Sequence, residues 1–270
     1  MGRQSDDDVR WDMSGQPENV PLSDVLVHAA GLAHRIPKNA TEEHAFLEIN
    51  AGGTLRILEA LERRNALPGT FVFISSVSVY GRETGEEIAE DHPLVGTSPY
   101  AVSKIRAEAH VMDWSARNNV PAVILRLPLI VGDGAPGNLG AMVRHIRRGT
   151  YLRIGDGKAR RSMVLAKDIA SLIPALFRKS GIYNLTDGQH PSVMELDTVI
   201  AKAMGKRIRM LHPWLARTMA RVGDHIPRSP FNSYRLSKLS HTLTFSDERA
   251  REELGWSPGR VLDDWTIENE

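Results

Sequence analysis

The sequence predicts an α/β fold built on a doubly wound parallel sheet, with a smaller C-terminal lobe beside it. Three near-continuous apolar runs begin at Val25 (VLVHAAG), Thr70 (TFVFISSVSVYG) and Pro121 (PAVILRLPLIVG), as expected for strands buried on both faces of a parallel sheet. Residues 41–65 and 98–118 lie between these runs, and their apolar positions recur every three or four residues, the helical period. This alternation of strand and helix favours right-handed crossovers and a doubly wound sheet.

The second half of the chain differs from the first in composition and pattern. A glycine-rich and basic stretch follows Gly132, then come MVLAKDIASLIPALF, the strand-like GIYNLTDG and, from Ser192, a mostly helical remainder that ends in DERAREELGW. Open α/β sheets bind ligands at the carboxyl ends of their strands, so we expect the remainder to pack there. The predicted division is a sheet domain of residues 1–135 and 160–190 and a substrate lobe of residues 136–159 and 191–270.

The composition argues against several classes of function. The 34 Lys and Arg are balanced by 33 Asp and Glu, so no overall field attracts nucleic acid, and the absence of cysteine removes disulfides and thiolate sites. The ten histidines show no HxxxH or HExxH spacing, so no metal is predicted. The N-terminus is acidic, and no run approaches the roughly 18 apolar residues of a membrane span. We therefore expect no integral membrane segment and a cytoplasmic protein.

The segment SPYAVSK places Tyr100 and Lys104 four residues apart, on one face of the predicted helix. An ammonium there can lower the pKa of the phenol, which lets the phenol exchange a proton with an alcohol or a carbonyl. Ordinary surface pairs also have this spacing. Ser75 and Ser76 add hydroxyls at the end of the second apolar run, where a doubly wound sheet presents catalytic groups, although serine is also common in turns that end strands.

Six motifs, taken in order along the chain, resemble those of the extended short-chain dehydrogenase/reductases, the family of nucleotide-sugar epimerases and dehydratases. They are HAAG (28–31), NAGGTLRILEA (50–60), SSVSVYG (75–81), PYAVSK (99–104), RLPLIVGDG (126–134) and YN (183–184). Together they are specific, whereas any single motif is not. The resemblance implies a Rossmann-like fold, an NAD or NADP cofactor, a nucleotide-sugar substrate and a homodimer that pairs helices 41–65 and 98–118.

The resemblance also implies roles for individual residues. Tyr100 would be the acid/base, Lys104 would bind the nicotinamide ribose and lower the pKa of Tyr100, and Ser76 would contact the reacting oxygen. Small side chains at residues 29–31 would allow the backbone to approach the cofactor. For Asn50, simple packing of helix on sheet is the alternative. The full set expected to line the cofactor, besides Tyr100 and Lys104, is Asp12, Met13, Ala29, Ala30, Gly31, Asn50, Ser75 and Pro128.

On the substrate side, the resemblance implies that Asn138 and Arg161 hold the diphosphate, with Arg160 as the alternative to Arg161. A guanidinium binds phosphate in a bidentate manner, but a solvated basic surface is an equal interpretation for Arg161 and the favoured one for the arginines at 144–148. His34 either faces the sugar or lies in a loop without a role.

The residues after Ser76 bear on the type of reaction. Dehydratases of the family carry acidic residues directly after the corresponding hydroxyl, whereas this chain has Val77 and Ser78. The difference argues against dehydration and leaves C4 epimerisation or 4-ketosugar reduction, both of which transfer hydride at one carbon. The segment PWLARTMARVG, from Pro213, either touches a membrane or, as we favour, packs on the core as a lobe helix.

The family's first strand and its GxxGxxG turn, which holds the cofactor pyrophosphate, have no counterpart in this sequence. We therefore expect a sheet without its first two strands and an exposed edge on the strand from Val25. A truncated or mis-started reading frame and a natural chain that has given up tight cofactor binding are both open explanations. The alternative function is accordingly that of a catalytically silent relative that binds a nucleotide-sugar or a protein partner.

Overall fold

The computed structural model describes residues 11–17, 20–33, 35–132, 134, 137–225, 236 and 240–267. Strands and helices alternate through these ranges. The strands are β1 (Val25–His28), β2 (Thr70–Ser76), β3 (Gly85–Ile88), β4 (Ala122–Leu127), β5 (Leu129–Val131), β6 (Leu152–Ile154), β7 (Met163–Leu165), β8 (Gly181–Asn184), β9 (Arg209–Leu211) and β10 (Leu243–Phe245). The α-helices are α1 (Ala40–Phe46), α2 (Gly53–Arg63), α3 (Pro99–Asn118), α4 (Gly137–Arg147), α5 (Ala166–Leu172), α6 (Val193–Ala203), α7 (Pro213–Asp224), α8 (Glu248–Leu254) and α9 (Val261–Asp264).

The main sheet has four parallel strands in the order β1-β2-β4-β8. Its register aligns His28 with Phe73, Phe73 with Ile124, and Ile124 with Ile182. The predicted doubly wound sheet is therefore observed. Among the described residues, β1 pairs with β2 alone, so the expected exposed edge is also present.

The sheet is covered on both faces, as its near-continuous apolar strands predict. Alternate side chains of a strand point to opposite faces: Phe71 and Phe73 pack with Trp114 of α3 and with α2, whereas Val72 packs with α5 and with Trp256. Burying an aromatic or large aliphatic side chain stabilises a fold by about 1.5–3 kcal/mol. These two cores hold the carboxyl ends of the strands in a fixed arrangement.

The third apolar run is two strands rather than one. β4 ends at Leu127, Pro128 interrupts the run, and β5 pairs with β7 outside the main sheet. Proline has no amide hydrogen and cannot continue a ladder on both sides. The chain therefore leaves the main sheet at Pro128, directly beyond the carboxyl ends of the strands.

The second run also ends earlier than the pattern predicts. β2 stops at Ser76, and Val77–Tyr80 form a 3-10 turn in which the Ser76 hydroxyl accepts a hydrogen bond from the Ser78 amide at 3.2 Å. The described residues from Ser192 onward are mostly helical as expected, with two short strands among them that the pattern misses. β9 pairs with β6 and β10 pairs with β3. None of the helices described combines the length and apolar character needed to cross a bilayer.

Candidate active site

Helix α3 carries Tyr100 and Lys104 toward the end of β2. The helix begins where the sequence predicts: the Ser98 hydroxyl accepts from the amide of Ala101 at 3.2 Å, and Pro99 occupies the first turn. Tyr100 thus lies in the first turn and Lys104 one turn later on the same face.

Lys104 is almost fully buried. Its ammonium donates to the carbonyl oxygen of Ile74 at 2.8 Å and lies 4.6 Å from the centre of the Phe73 ring. Burial lowers the pKa of Lys104 to about 8, and the carboxylate of Glu108 opposes this shift. The side chain therefore remains mainly charged at pH 7, although its pKa lies only about one unit above that pH.

The pKa of Tyr100 lies above its ordinary value. Burial raises it, and a hydrogen bond with Ser76 partly lowers it again. The expectation that Lys104 lowers this pKa is therefore wrong, because desolvation of the phenolate dominates. The Lys104 ammonium makes its hydrogen bond to Ile74. Ser76 contacts Tyr100 and also caps the turn that ends β2, as the turn interpretation expects, whereas its contact with the reacting oxygen stays a prediction.

Asn50 links the loop after β1 to helix α3 by hydrogen bonds. Its side chain accepts from the Leu32 amide at 2.6 Å, donates to the Leu32 carbonyl at 3.0 Å and donates to the Ser103 hydroxyl at 2.9 Å. A β-carbon on Gly31 would lie 2.9 Å from the Asn50 carbonyl oxygen, so the close approach requires glycine. These contacts favour the packing interpretation of Asn50.

A first cleft of about 470 Å³ opens where Tyr100, Lys104 and Ser76 meet. Besides Tyr100 and Lys104, four of the eight other predicted cofactor residues line it, namely Ala29, Gly31, Ser75 and Pro128. Ala30 is exposed and is not among the lining residues. The side chain of Ser75 is buried and donates to Glu108 at 2.5 Å, so its backbone rather than its hydroxyl is available to a ligand.

Asp12 and Met13 lie away from this cleft. Met13 packs on Gly53 at the start of α2, and its carbonyl accepts from Arg56 at 2.9 Å and 2.5 Å. Asp12 is exposed and accepts from the Ser14 amide at 3.0 Å. Their predicted contact with the cofactor thus stays a prediction. His34 lies outside the described residues.

A second cleft of about 330 Å³ brings the two predicted substrate residues together. Asn138, in the first turn of α4, and Arg161 both line it, along with Arg82 and apolar side chains that include Phe245. Arg161 donates to the carbonyl of Arg160 at 2.8 Å and to that of His241, and burial lowers its pKa. The two clefts share Pro128 and Leu129 as a common wall.

The other basic residues do not join this site. Arg160 is exposed and donates to the carbonyl oxygen of His190 at 3.1 Å. Arg144, Arg147 and Arg148 are exposed on or after α4, which fits the solvated interpretation. Within the described ranges, no group of three or more His, Asp or Glu side chains could hold a metal ion.

Sequence reasoning missed a buried charged network behind the first cleft. The Arg126 guanidinium donates to the Glu108 carboxylate at 2.7 Å and 3.2 Å, and to the Tyr80 hydroxyl at 3.1 Å. Tyr80 in turn donates to Asn184 at 2.7 Å. Two signals were present: Glu108 continues the four-residue spacing of Tyr100 and Lys104, and Arg126 is the single charge in the strand AVILRL.

Relatives of known function share this sequence pattern. The model of the NAD dependent epimerase/dehydratase family matches residues 18–186, more than half of the chain. GDP-6-deoxy-D-mannose reductase of Pseudomonas aeruginosa is 27% identical over 268 residues, covering 90% of this chain and 81% of that protein. UDP-glucose 4-epimerase of Vibrio cholerae is 25% identical over 248 residues, covering 88% and 73%.

Solved structures share the fold. The structure of RMD from Pseudomonas aeruginosa complexed with NADPH matches with a TM-score of 0.73 and 23% identity, covering 96% of this chain and 86% of that chain. This likeness confirms the predicted Rossmann-like sheet. The family match confirms the resemblance that the motifs carry and, with it, NAD as the cofactor of the family. The chain belongs to the NAD-dependent epimerase/dehydratase family of enzymes.

Proposed function

We propose that this chain is an NAD(P)-dependent C4 epimerase or 4-keto reductase of nucleotide-activated sugars. The observation that carries the proposal is the meeting of Tyr100, Lys104 and Ser76 in one cleft that shares a wall with a second cleft containing Asn138 and Arg161. The curated relatives named above include one reductase and one epimerase of nucleotide sugars.

The first cleft suits the nicotinamide end of the cofactor. Ala29 and Gly31 present little side chain there, so the backbone after β1 can lie against a flat ring and its ribose. Lys104 supplies an ammonium at the same place. The bound nicotinamide would supply or accept the hydride.

The raised pKa of Tyr100 keeps its phenol protonated at neutral pH, so a proton is available for transfer to a substrate oxygen. In the reductive direction, Tyr100 would donate its proton to the keto oxygen of the sugar, and the ammonium of Lys104 would hold the ribose of the cofactor, as the resemblance implies. Ser76 donates a hydrogen bond to the same oxygen. An epimerase would run this step in reverse first, with Tyr100 accepting the proton of the sugar 4-hydroxyl.

The second cleft suits the nucleotide diphosphate. The Arg161 guanidinium offers donors to phosphate oxygens, and the Asn138 side chain lines the same cleft as apolar side chains that include Phe245. Apolar side chains there would contact the base, and the sugar would reach past Pro128 to Tyr100.

Turnover of UDP- and GDP-linked hexoses and their 4-keto forms, with NAD, NADH or NADPH, tests the proposal. Tyr100→Phe should lower turnover by about 10²–10⁴-fold without weakening nucleotide binding, whereas the matched control Tyr151→Phe, which lies outside both clefts, should keep it. Arg161→Gln should raise KM more than it lowers kcat. Equal turnover in wild type and Tyr100→Phe would contradict the mechanism.

A catalytically silent relative is the alternative function. Calorimetric titration with UDP, GDP, NAD and NADPH separates the two: nucleotide binding without cofactor binding or turnover favours the silent relative. The division into a sheet domain and a substrate lobe, the cytoplasmic location, and a homodimer through helices α1–α2 and α3 also remain proposals. Light scattering of the purified chain tests the last of these.

A further inference from the structure

Helix α7 exposes its large apolar side chains and buries its small ones. Trp214, Leu215, Met219 and Val222 are 61%, 37%, 48% and 58% exposed, whereas Ala216 and the other alanine, at position 220, are fully buried. Leu215, Met219 and Val222 recur at i, i+4 and i+7, so they form one face with Trp214 at its edge. The two buried alanines fit the favoured expectation of a packed lobe helix, but the large apolar side chains lie outside the packed face.

This helix ends an unusually basic segment. Residues 198–223 contain six Lys and Arg and no Asp or Glu, although the whole chain has a net charge of only +1. Two of the cations, Arg217 and Arg221, follow Trp214 by three and seven residues and therefore flank the apolar face on the Trp214 side. Both arginines are exposed.

We propose that α7 docks this protein onto an anionic phospholipid surface, with Trp214, Leu215, Met219 and Val222 in the headgroup boundary and the arginines at the lipid phosphates. A helix with exposed apolar residues on one face and cations beside it lies in the plane of such a surface, and cations near an anionic leaflet strengthen its attraction to that surface. Tryptophan is favoured at this depth because its ring is amphipathic.

The charge pattern decides between possible occupants. Nucleic acid would pair with the cations but would leave the four apolar side chains without a counterpart. A second copy of this chain would bring a like-charged segment of the same sequence against the first, which is unfavourable. An anionic bilayer matches both the apolar face and the positive charge.

Flotation with vesicles tests the proposal on the full chain. We expect binding to vesicles of equimolar phosphatidylcholine and phosphatidylglycerol, and little binding to vesicles of phosphatidylcholine alone or in high salt. Trp214→Ala and Met219→Gln should each weaken binding by about tenfold, because each removes apolar area from the boundary. Leu22→Gln is the matched control, since Leu22 is exposed elsewhere on the molecule.

Tryptophan fluorescence gives an independent readout. Trp11, Trp114 and Trp256 are buried and Trp265 is half-buried, whereas Trp214 is exposed, so brominated phospholipid should quench wild type more than Trp214→Phe. Binding that does not depend on anionic lipid, or that survives both substitutions unchanged, would overturn the proposal. So would self-association without lipid that the same substitutions abolish, because the face would then join copies of this chain. None of these outcomes depends on turnover, so they are separate from the test of the proposed function.

Discussion

Replacing Glu108 by glutamine tests whether the buried charge pair behind the first cleft stabilises the catalytic helix. The Glu108 carboxylate accepts from Arg126 at 2.7 Å and 3.2 Å and from the Ser75 hydroxyl at 2.5 Å. The side chains of Arg126 and Glu108 are only 3% and 5% exposed. Glutamine keeps the size and one acceptor oxygen, but it leaves the Arg126 guanidinium buried beside a neutral group.

The loss of one member of a buried ion pair lowers the free energy of unfolding by about 3–5 kcal/mol, because the remaining charge is uncompensated. Arg126 retains the Tyr80 hydroxyl at 3.1 Å and the Glu90 carbonyl at 3.0 Å as acceptors. We therefore expect the lower end of this range, about 3 kcal/mol. A domain whose free energy of unfolding is about 5–15 kcal/mol would still fold after this loss.

The same substitution should change the pH dependence of activity. The Glu108 carboxylate opposes the lowering of the Lys104 pKa by burial, so without it the pKa should fall further below about 8. Lys104 would then lose its charge at a lower pH, and the alkaline limb of the rate profile should shift to lower pH in the variant.

Urea unfolding at pH 7, followed by circular dichroism, measures the stability effect. Glu48→Gln is the matched control, because the Arg56–Glu48 pair has the same 2.7 Å separation but Glu48 is 50% exposed. An exposed pair of this kind contributes at most about 1 kcal/mol. If both substitutions destabilise the protein equally, burial is not the cause, and the reasoning fails.

Three further predictions concern His28, Lys104 and Gly31 near the first cleft. Burial, aided by the charge of Lys104, lowers the pKa of His28 from 6.5 to about 3. Between these two pH values the unfolded chain binds a proton at His28 that the folded chain does not, so the free energy of unfolding falls as pH falls from 6.5 to 3. The urea midpoint of His28→Gln should therefore fall less over this range than that of wild type. The pKa of Lys104 is about 8 when folded and 10.5 in the reference state, so wild type should gain roughly 3 kcal/mol relative to Lys104→Met as pH rises through this interval. Gly31→Ala should destabilise the protein by about 1–3 kcal/mol in thermal melts, because the new β-carbon meets Asn50 at 2.9 Å; Gly15→Ala, whose nearest neighbour is 3.9 Å away, should have little effect.

The sequence predicted those features that depend on local pattern. The apolar runs at Val25 and Thr70 became strands of the main sheet, and Ser98 with Pro99 started α3 beside Tyr100, because strand burial and helix capping are encoded in neighbouring residues. The acid/base pair could be found from spacing for the same reason.

The missed features depend on residues that are distant in sequence. Arg126 and Glu108 are 18 residues apart, and Tyr80 and Asn184 are 104 apart, so nothing local indicates that they pair. The three-residue strands β9 and β10 have too few positions to show a period of two. The pKa of Tyr100 was predicted in the wrong direction because the spacing to Lys104 reveals charge but not the extent of burial.

The wall formed by Pro128 and Leu129 belongs to both clefts, so a displacement of it by a ligand would couple binding in one cleft to binding in the other. Pro128 has a fixed backbone φ, and the strands on either side of it are anchored in different sheets. A ligand that shifts this wall in one cleft therefore changes the shape of the other. The resulting change in affinity is reciprocal by linkage: whatever factor the cofactor imposes on the dissociation constant of the nucleotide, the nucleotide imposes on that of the cofactor.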